Sequence, residues 1–241
     1  MSDSGFSQGG FYQFPLCLLA QNLPFTELLN LSFQYGVCWY LHTKQPLWRS
    51  MPSSKLKATF DEARAIIKFT GATPQHFIAT HTTAQRFIDQ WQIVLQRKTA
   101  FVRFRTFDLH FQVRDHEILS ERDWRVLAAI FSALGDKPMV KLGWERIQCR
   151  AAGWLTPPPP GATPCGPLFP RGQIERSLRK LLDRGFLFGA TYRRGERFWS
   201  NRLNQAQLRD RIMERKLHSV TTAAETRNTP GALSQKTKLP A

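Results

Sequence analysis

The 241-residue sequence predicts an α+β fold that is mainly helical. Three observations predict it. Apolar residues recur at i, i+4, i+7 and i+8 through much of the chain, the spacing of one helix face. A few short runs change to period two or to aromatic clusters, as strands do. From Ser120 to Ser200 the order reads helix, short strand, helix, helix, hairpin.

Residues 1–12 are rich in Gly, Ser and Gln and are expected to be disordered. Residues 13–118 read as a mixed, mostly helical unit. Thr26 can cap a short helix carrying Leu28, Leu29, Leu31 and Phe33 and ending near Gly36. Asp61 opens a second pattern through Ala65, Ile66 and Phe69, closed by Gly71. Thr83 begins a longer one, with Phe87, Trp91, Val94 and Leu95 on one face. The period then drops to two. Phe101, Arg103 and Arg105 alternate with Val102, Phe104 and Thr106, and Leu109, Phe111 and Val113 repeat the pattern. These runs are expected to be strands that pair with each other. No motif in this half carries chemistry, and dimerisation or partner binding is left to it.

Residues 119–217 follow a clearer plan. Ser120 can cap a helix with an acid, Asp123, at its third position. That helix buries a stripe of Trp124, Leu127, Ile130, Phe131 and Leu134, and Gly135 suits a positive-φ ending. Met139 to Lys141, after Pro138, is long enough for one short strand. A second helix carries Trp144, Ile147, Cys149 and Ala151 before Gly153. Prolines 157–160, with Pro164, Pro167 and Pro170, make 156–170 an extended loop. Pro170 suits the start of a third helix, Arg171 to Arg184, closed by Gly185. Its inner face is Ile174, Leu178, Leu181 and Leu182. Phe186 to Phe188 and Arg197 to Trp199 flank a basic, Gly-containing turn and read as a hairpin. Asn204 can cap a last amphipathic helix through Leu208, Ile212 and Leu217. Residues 218–241 are expected to be a disordered tail.

This order, and the runs LSERDWRVLAAIFSALG, GWERIQCRAAG and RGQIERSLRKLLDRGFLFG, resemble a winged helix-turn-helix domain. The resemblance covers about 80 to 100 residues and rests on pattern rather than on a signature motif. It implies a recognition helix at 171–184 and a wing at 186–200. The chain departs from the compact pattern where the tight turn before the third helix is replaced by the proline-rich loop.

Charge supplies an independent line. The chain carries 34 basic and 18 acidic side chains, a net +16. Residues 1–118 hold +4 of this and residues 119–241 hold +12, of which +8 lies within 171–216. Such a one-signed field favours a polyanion, and localises it to the second half. A helix with an apolar stripe and a basic outer face is what the major groove of B-DNA admits. Gln173 and Arg176 lie in the half of the third helix that reaches base edges, and Gln can pair with adenine and Arg with guanine. Arg171, Arg179 and Lys180 complete the outer face, the last two as phosphate contacts. Arg193, Arg194 and Arg197 on the hairpin are assigned to the backbone or the minor groove. The competing assignment is local, since Arg171 or Arg176 can pair with Glu175 or Asp183.

The expected function is sequence-specific binding of double-stranded DNA in transcription regulation. The alternatives are a replication-initiation or mobile-element protein, or an interaction subunit that uses the domain to dock on RNA or on a protein complex. No P-loop, G-x-G-x-x-G or G-x-S-x-G occurs, and no enzyme activity or cofactor is expected. His76 and His81 are not at helical i, i+4 spacing, and no acidic cluster suggests a two-metal site. Cys17, Cys38, Cys149 and Cys165 form no C-x-x-C pair, so neither a metal site nor a disulfide framework is expected. There is no apolar run of about 18 residues and no signal-peptide pattern. The expected location is cytoplasmic, on the nucleoid.

Overall fold

A computed structural model describes residues 11–45, 47–69, 80–96, 100–105, 119–156, 166–192 and 195–227. It is mainly helical, with two small antiparallel sheets. The first sheet joins β1 (Phe11–Pro15) to β2 (Phe101–Arg105). Between them run a 3-10 turn (Leu16–Ala20) and helices α1 (Phe25–Lys44), α2 (Ser53–Phe69) and α3 (His81–Gln96). The second half has α4 (Glu121–Leu134), β3 (Val140–Lys141), α5 (Trp144–Ala151), α6 (Arg171–Asp183), β4 (Phe188–Tyr192), β5 (Glu196–Ser200) and α7 (Gln205–Arg227). No helix of the described residues is long and apolar enough to cross a membrane.

The first three helices start earlier than expected. Pro24 and Pro52 each precede a helix whose first N–H groups bond back to the proline carbonyl, Leu28 to Pro24 at 3.0 Å and Leu56 to Pro52 at 3.1 Å. Thr26 is thus inside α1 and Asp61 is inside α2. For α3 the cap is Thr80, whose Oγ1 accepts from the Thr83 N–H at 3.2 Å. Helix α1 also runs through Gly36 to Lys44. Phe33, Val37, Cys38 and Leu41 are all buried around that glycine, and their burial outweighs its cost of about 1 kcal/mol. Gly71 and the 109–113 run lie outside the described residues.

While the expected partner lies outside the described residues, the 101–105 strand has a partner that the sequence reading does not anticipate. It pairs with β1 at the other end of the first half, Phe14 opposite Val102 and Phe11 opposite Arg105. Phe11 and Tyr12 therefore belong to a strand, although they fall in the stretch read as disordered. At the opposite end α7 extends to Arg227, past the expected boundary at 217. It is capped as expected. Asn204 Oδ1 accepts from the Gln207 N–H, and Gln207 Oε1 accepts from the Asn204 N–H, both at 3.0 Å.

Helix α4 joins the two halves. It is capped by Ser120 Oγ, which accepts from the Asp123 N–H at 3.3 Å, and Gly135 follows it with φ +51°. The sequence suggests one apolar stripe, yet ten of the fourteen residues are buried. A helix enclosed on both sides is a core helix rather than a surface one. On one side Trp124 stacks on Phe14 at 5.6 Å and on Phe104 at 6.1 Å between ring centroids, and meets Phe25 edge-on at 5.9 Å. Phe131 lies 5.0 Å from Phe104. The same helix packs through its other side on α5 and α6. One continuous apolar core results, running from Phe14 to Trp199.

A backbone clasp reinforces this junction. Arg125, 1% exposed, donates from Nη1 to the Leu19 carbonyl at 2.6 Å and from Nε to Glu121 at 2.8 Å. The turn at Leu19–Ala20 lies against two glycines of the second half. A Cβ on Gly153 would sit 2.2 Å from the Ala20 nitrogen, and one on Gly166 would sit 2.8 Å from the Leu19 oxygen. Gly153 also has φ +85°, so both its conformation and its surroundings require glycine.

Two outcomes follow from the shared core. Trp124→Ala should lower stability in urea by about 3–5 kcal/mol, with the helical signal lost in a single transition. Gly153→Ala should cost about 1–3 kcal/mol through strain against Ala20. A Trp124→Ala melt that splits into two well-separated transitions would contradict a shared core.

Candidate nucleic-acid interface

The second sheet has the order β3-β5-β4. Strands β4 and β5 form the expected hairpin, with Tyr192 opposite Glu196 and Phe188 opposite Ser200. Strand β3 adds to the free edge of β5, Val140 opposite Trp199. Two side chains lock this edge. Trp199 Nε1 donates to the Leu142 carbonyl at 2.9 Å, and Ser200 Oγ donates to the Pro138 carbonyl at 2.7 Å. At the hairpin tip Gly195 has φ +75°, and Arg193 and Arg194 lie outside the described residues.

Helix α6 begins where Pro170 places it, with the Gln173 and Ile174 N–H groups bonded to the Pro170 carbonyl at 2.9 and 3.1 Å. Ile174, Leu178 and Leu181 are buried, and so is Ser177. The polar Ser177 in an apolar stripe has a specific partner. Its Oγ donates to Asp123 Oδ1 at 2.6 Å and accepts from Arg122 Nε at 2.9 Å. Lys180 Nζ donates to the other Asp123 oxygen at 3.0 Å. Asp123, 2% exposed, is thus the anchor of α6 on α4. Burial alone would raise its pKa. Hydrogen bonds from Ser177, Ser120 and Lys180, with the Lys180 charge, overcome this and hold the carboxyl below its ordinary value.

The outer surface of α6 divides into three strips by helical spacing. Gly172, Arg176, Arg179 and Asp183 form the middle, all exposed. Lys180 lies on the edge towards α4 and is occupied there by Asp123, and Gln173, half-buried, shares that edge by its spacing. Arg171, Glu175 and Leu182 lie on the edge towards the hairpin. There Arg171 Nε donates to Glu175 Oε1 at 2.9 Å, and Arg197 Nη2 comes within 3.7 Å of the same oxygen. Arg171 also covers the Trp144 ring at 5.6 Å. The Arg171 hydrogen bond holds the Glu175 carboxyl below its usual range, and the charges of Arg171, Arg197 and Arg179 add to this.

Between α6 and the hairpin is an open cleft of about 350 Å³. Leu178, Leu182, Ala190, Phe198 and Trp199 form its floor, and Glu175, Arg179, Thr191 and Arg197 stand on its walls. Behind the hairpin, Glu196 is engaged by Lys141 and, at 3.1 Å, by Lys216. Cations therefore lie on both sides of the hairpin. Among the described residues, no three His, Cys, Asp or Glu side chains converge as a metal site would require.

Of the eight residues expected on a DNA surface, Arg171 and Arg197 meet at Glu175, Arg179 and Arg197 line the cleft, and Arg176 is exposed on the middle strip of α6. Lys180 is turned to a buried carboxylate, and Gln173 is at the margin. The local-pairing alternative holds for Arg171 but not for Arg176, whose Nε reaches the Gly172 carbonyl at 3.4 Å. Helical spacing alone does not reveal the contact of Glu175 with Arg197 or the cluster of Asp123 with Ser177 and Lys180. A serine between Ile174 and Leu178 is the available signal, because a polar group at a core position needs a partner.

Comparison of the chain with protein-family models, with curated proteins and with solved structures returns no match.

Asp123 has a defined pH signature. Its carboxyl binds a proton less readily folded than unfolded. Its stabilisation is therefore present above the unfolded value of about 3.9 and is lost as pH falls through the lower folded value. The thermal midpoint of the wild type should drop more steeply below about pH 4 than that of Asp123→Asn. Parallel pH profiles for the two proteins would contradict the anchoring role.

Proposed function

We propose that the chain binds double-stranded DNA sequence-specifically, with residues 119–217 acting as a winged helix-turn-helix. Helix α6 enters the major groove and the β4–β5 hairpin serves as the wing, in the service of transcription regulation. One observation carries this reading. The helix hides its apolar stripe on α4 and turns Arg176 and Arg179 outward, beside a hairpin that contributes Arg197. The order α4, β3, α5, α6, β4, β5 with a β3-β5-β4 sheet supports the same reading. So does the concentration of net charge after residue 118.

Each residue then has a role set by its position. Arg176 lies in the N-terminal half of α6 and is assigned to a guanine edge. Arg179 and Arg197 flank the cleft and are assigned to phosphates on its two sides. Lys180 is not given a DNA contact, because its ammonium neutralises Asp123. The first half is proposed to provide the dimer contact or the partner surface.

Binding of random and selected duplexes across salt concentrations tests the proposal. The expected slope of log K against log salt is steeper than about −4, from several phosphate contacts. Arg176→Ala should lose about 1–3 kcal/mol at one base position and relax specificity there. Arg179→Ala should weaken all sequences alike and reduce the slope by about 1. Absence of binding to any duplex at low salt would refute the proposal.

A further inference from the structure

We infer that Glu175 is a built-in competitor for DNA phosphate, a carboxylate that occupies Arg171 and Arg197 until a correct duplex is docked. It thereby sets the discrimination between specific and random sequence. The inference rests on the DNA-binding reading above and deepens it.

Three features of the surface support it. First, Glu175 stands between the two structures that would grip DNA. Arg171 reaches it from the first turn of α6 and Arg197 from β5, and both use the same oxygen. Second, the carboxylate is half-exposed at 38%, so an approaching strand meets it as well as the arginines. Third, the other acids of these elements are placed differently. Glu196 faces Lys141 and Lys216 behind the hairpin, and Asp183 lies at the far end of α6.

The consequence is electrostatic. Surface ion pairs are weak, so a phosphate can take Arg171 and Arg197 from Glu175 at little cost. The freed carboxylate then faces the polyanion, and like charges brought together oppose binding. A random duplex bears this penalty in full. A duplex that presents a cytosine N4 amino group to Glu175 relieves it, because a carboxylate accepts from that base edge. Arg171 stays ordered meanwhile by its contact with Trp144, so the guanidinium remains placed for the phosphate. Glu175 therefore acts against non-specific binding and marks one base position for cytosine.

The test compares wild type, Glu175→Gln and Asp183→Asn on a random duplex and on duplexes selected by the wild type, over a salt series. Asp183→Asn removes the same charge from the same helix away from Arg171 and Arg197. Glu175→Gln should bind the random duplex roughly three- to tenfold more tightly near 0.1 M salt, with a slope steeper by about 1. Its preference for the selected duplex should fall, and the requirement for cytosine at one position should disappear. Asp183→Asn should keep the wild-type preference. Thermal melts of all three confirm that each is folded. If Glu175→Gln discriminates as well as wild type, or if Asp183→Asn loses preference equally, the inference is overturned while DNA binding stands. If the wild type binds no duplex, the DNA-binding reading fails and the inference falls with it.

Discussion

Enclosure of α4 is the constraint on which the rest of the structure depends. Ten of its fourteen residues are removed from water, and no single neighbouring element could cover them all. One side is closed by the β1–β2 sheet and α1, through the stack of Trp124 on Phe14 and Phe104. The other is closed by α5 and α6. Each half of the chain thus buries a face the other half needs covered. The Arg125 bond to Leu19 and the fit of Ala20 against Gly153 fix the contact at the level of the backbone. A glycine without space for a Cβ is a more exacting joint than an apolar patch, which tolerates repacking.

The same helix positions the candidate interface. Asp123 occupies the third position of α4, two residues after Glu121, and serves two purposes there. Its backbone N–H donates to the Ser120 cap. Its side chain holds Ser177 and Lys180 of α6. A buried carboxylate bonded to two residues of one helix fixes the rotation of α6 about its own axis more tightly than leucine packing does. That rotation leaves Arg176 and Arg179 exposed and brings the half-exposed Lys180 to Asp123.

The parts legible in the sequence are those encoded locally. Helices α4, α5 and α6 fall within about two residues of their expected limits, because caps, prolines and periodicity act over one or two turns. The hairpin forms where expected, but its first strand runs Phe188–Tyr192 rather than 186–188. What is not legible depends on residues far apart. The pairing of β1 with β2 sets Gln13 opposite Arg103, 90 positions along the chain, and nothing local marks Phe14 and Phe104 as neighbours of one tryptophan. The second buried side of α4 is hidden in the sequence because Asp123 and Arg125 read as surface charges. In the candidate interface the basic face is visible, but its division is not. Lys180 and Arg179 are adjacent in sequence and alike in charge, yet one is turned to Asp123 and the other is exposed. Glu175 is visible only as a local pair for Arg171, since its contact with Arg197 depends on how the hairpin folds back.

Hydrogen–deuterium exchange on the full chain, with and without saturating selected duplex, tests the central claim most directly. Slowed exchange is expected in α6 and the β4–β5 hairpin alone, strongest in the first turns of α6, with α1, α2 and α3 unchanged. Protection appearing in α1 to α3 while α6 and the hairpin exchange as before would contradict it.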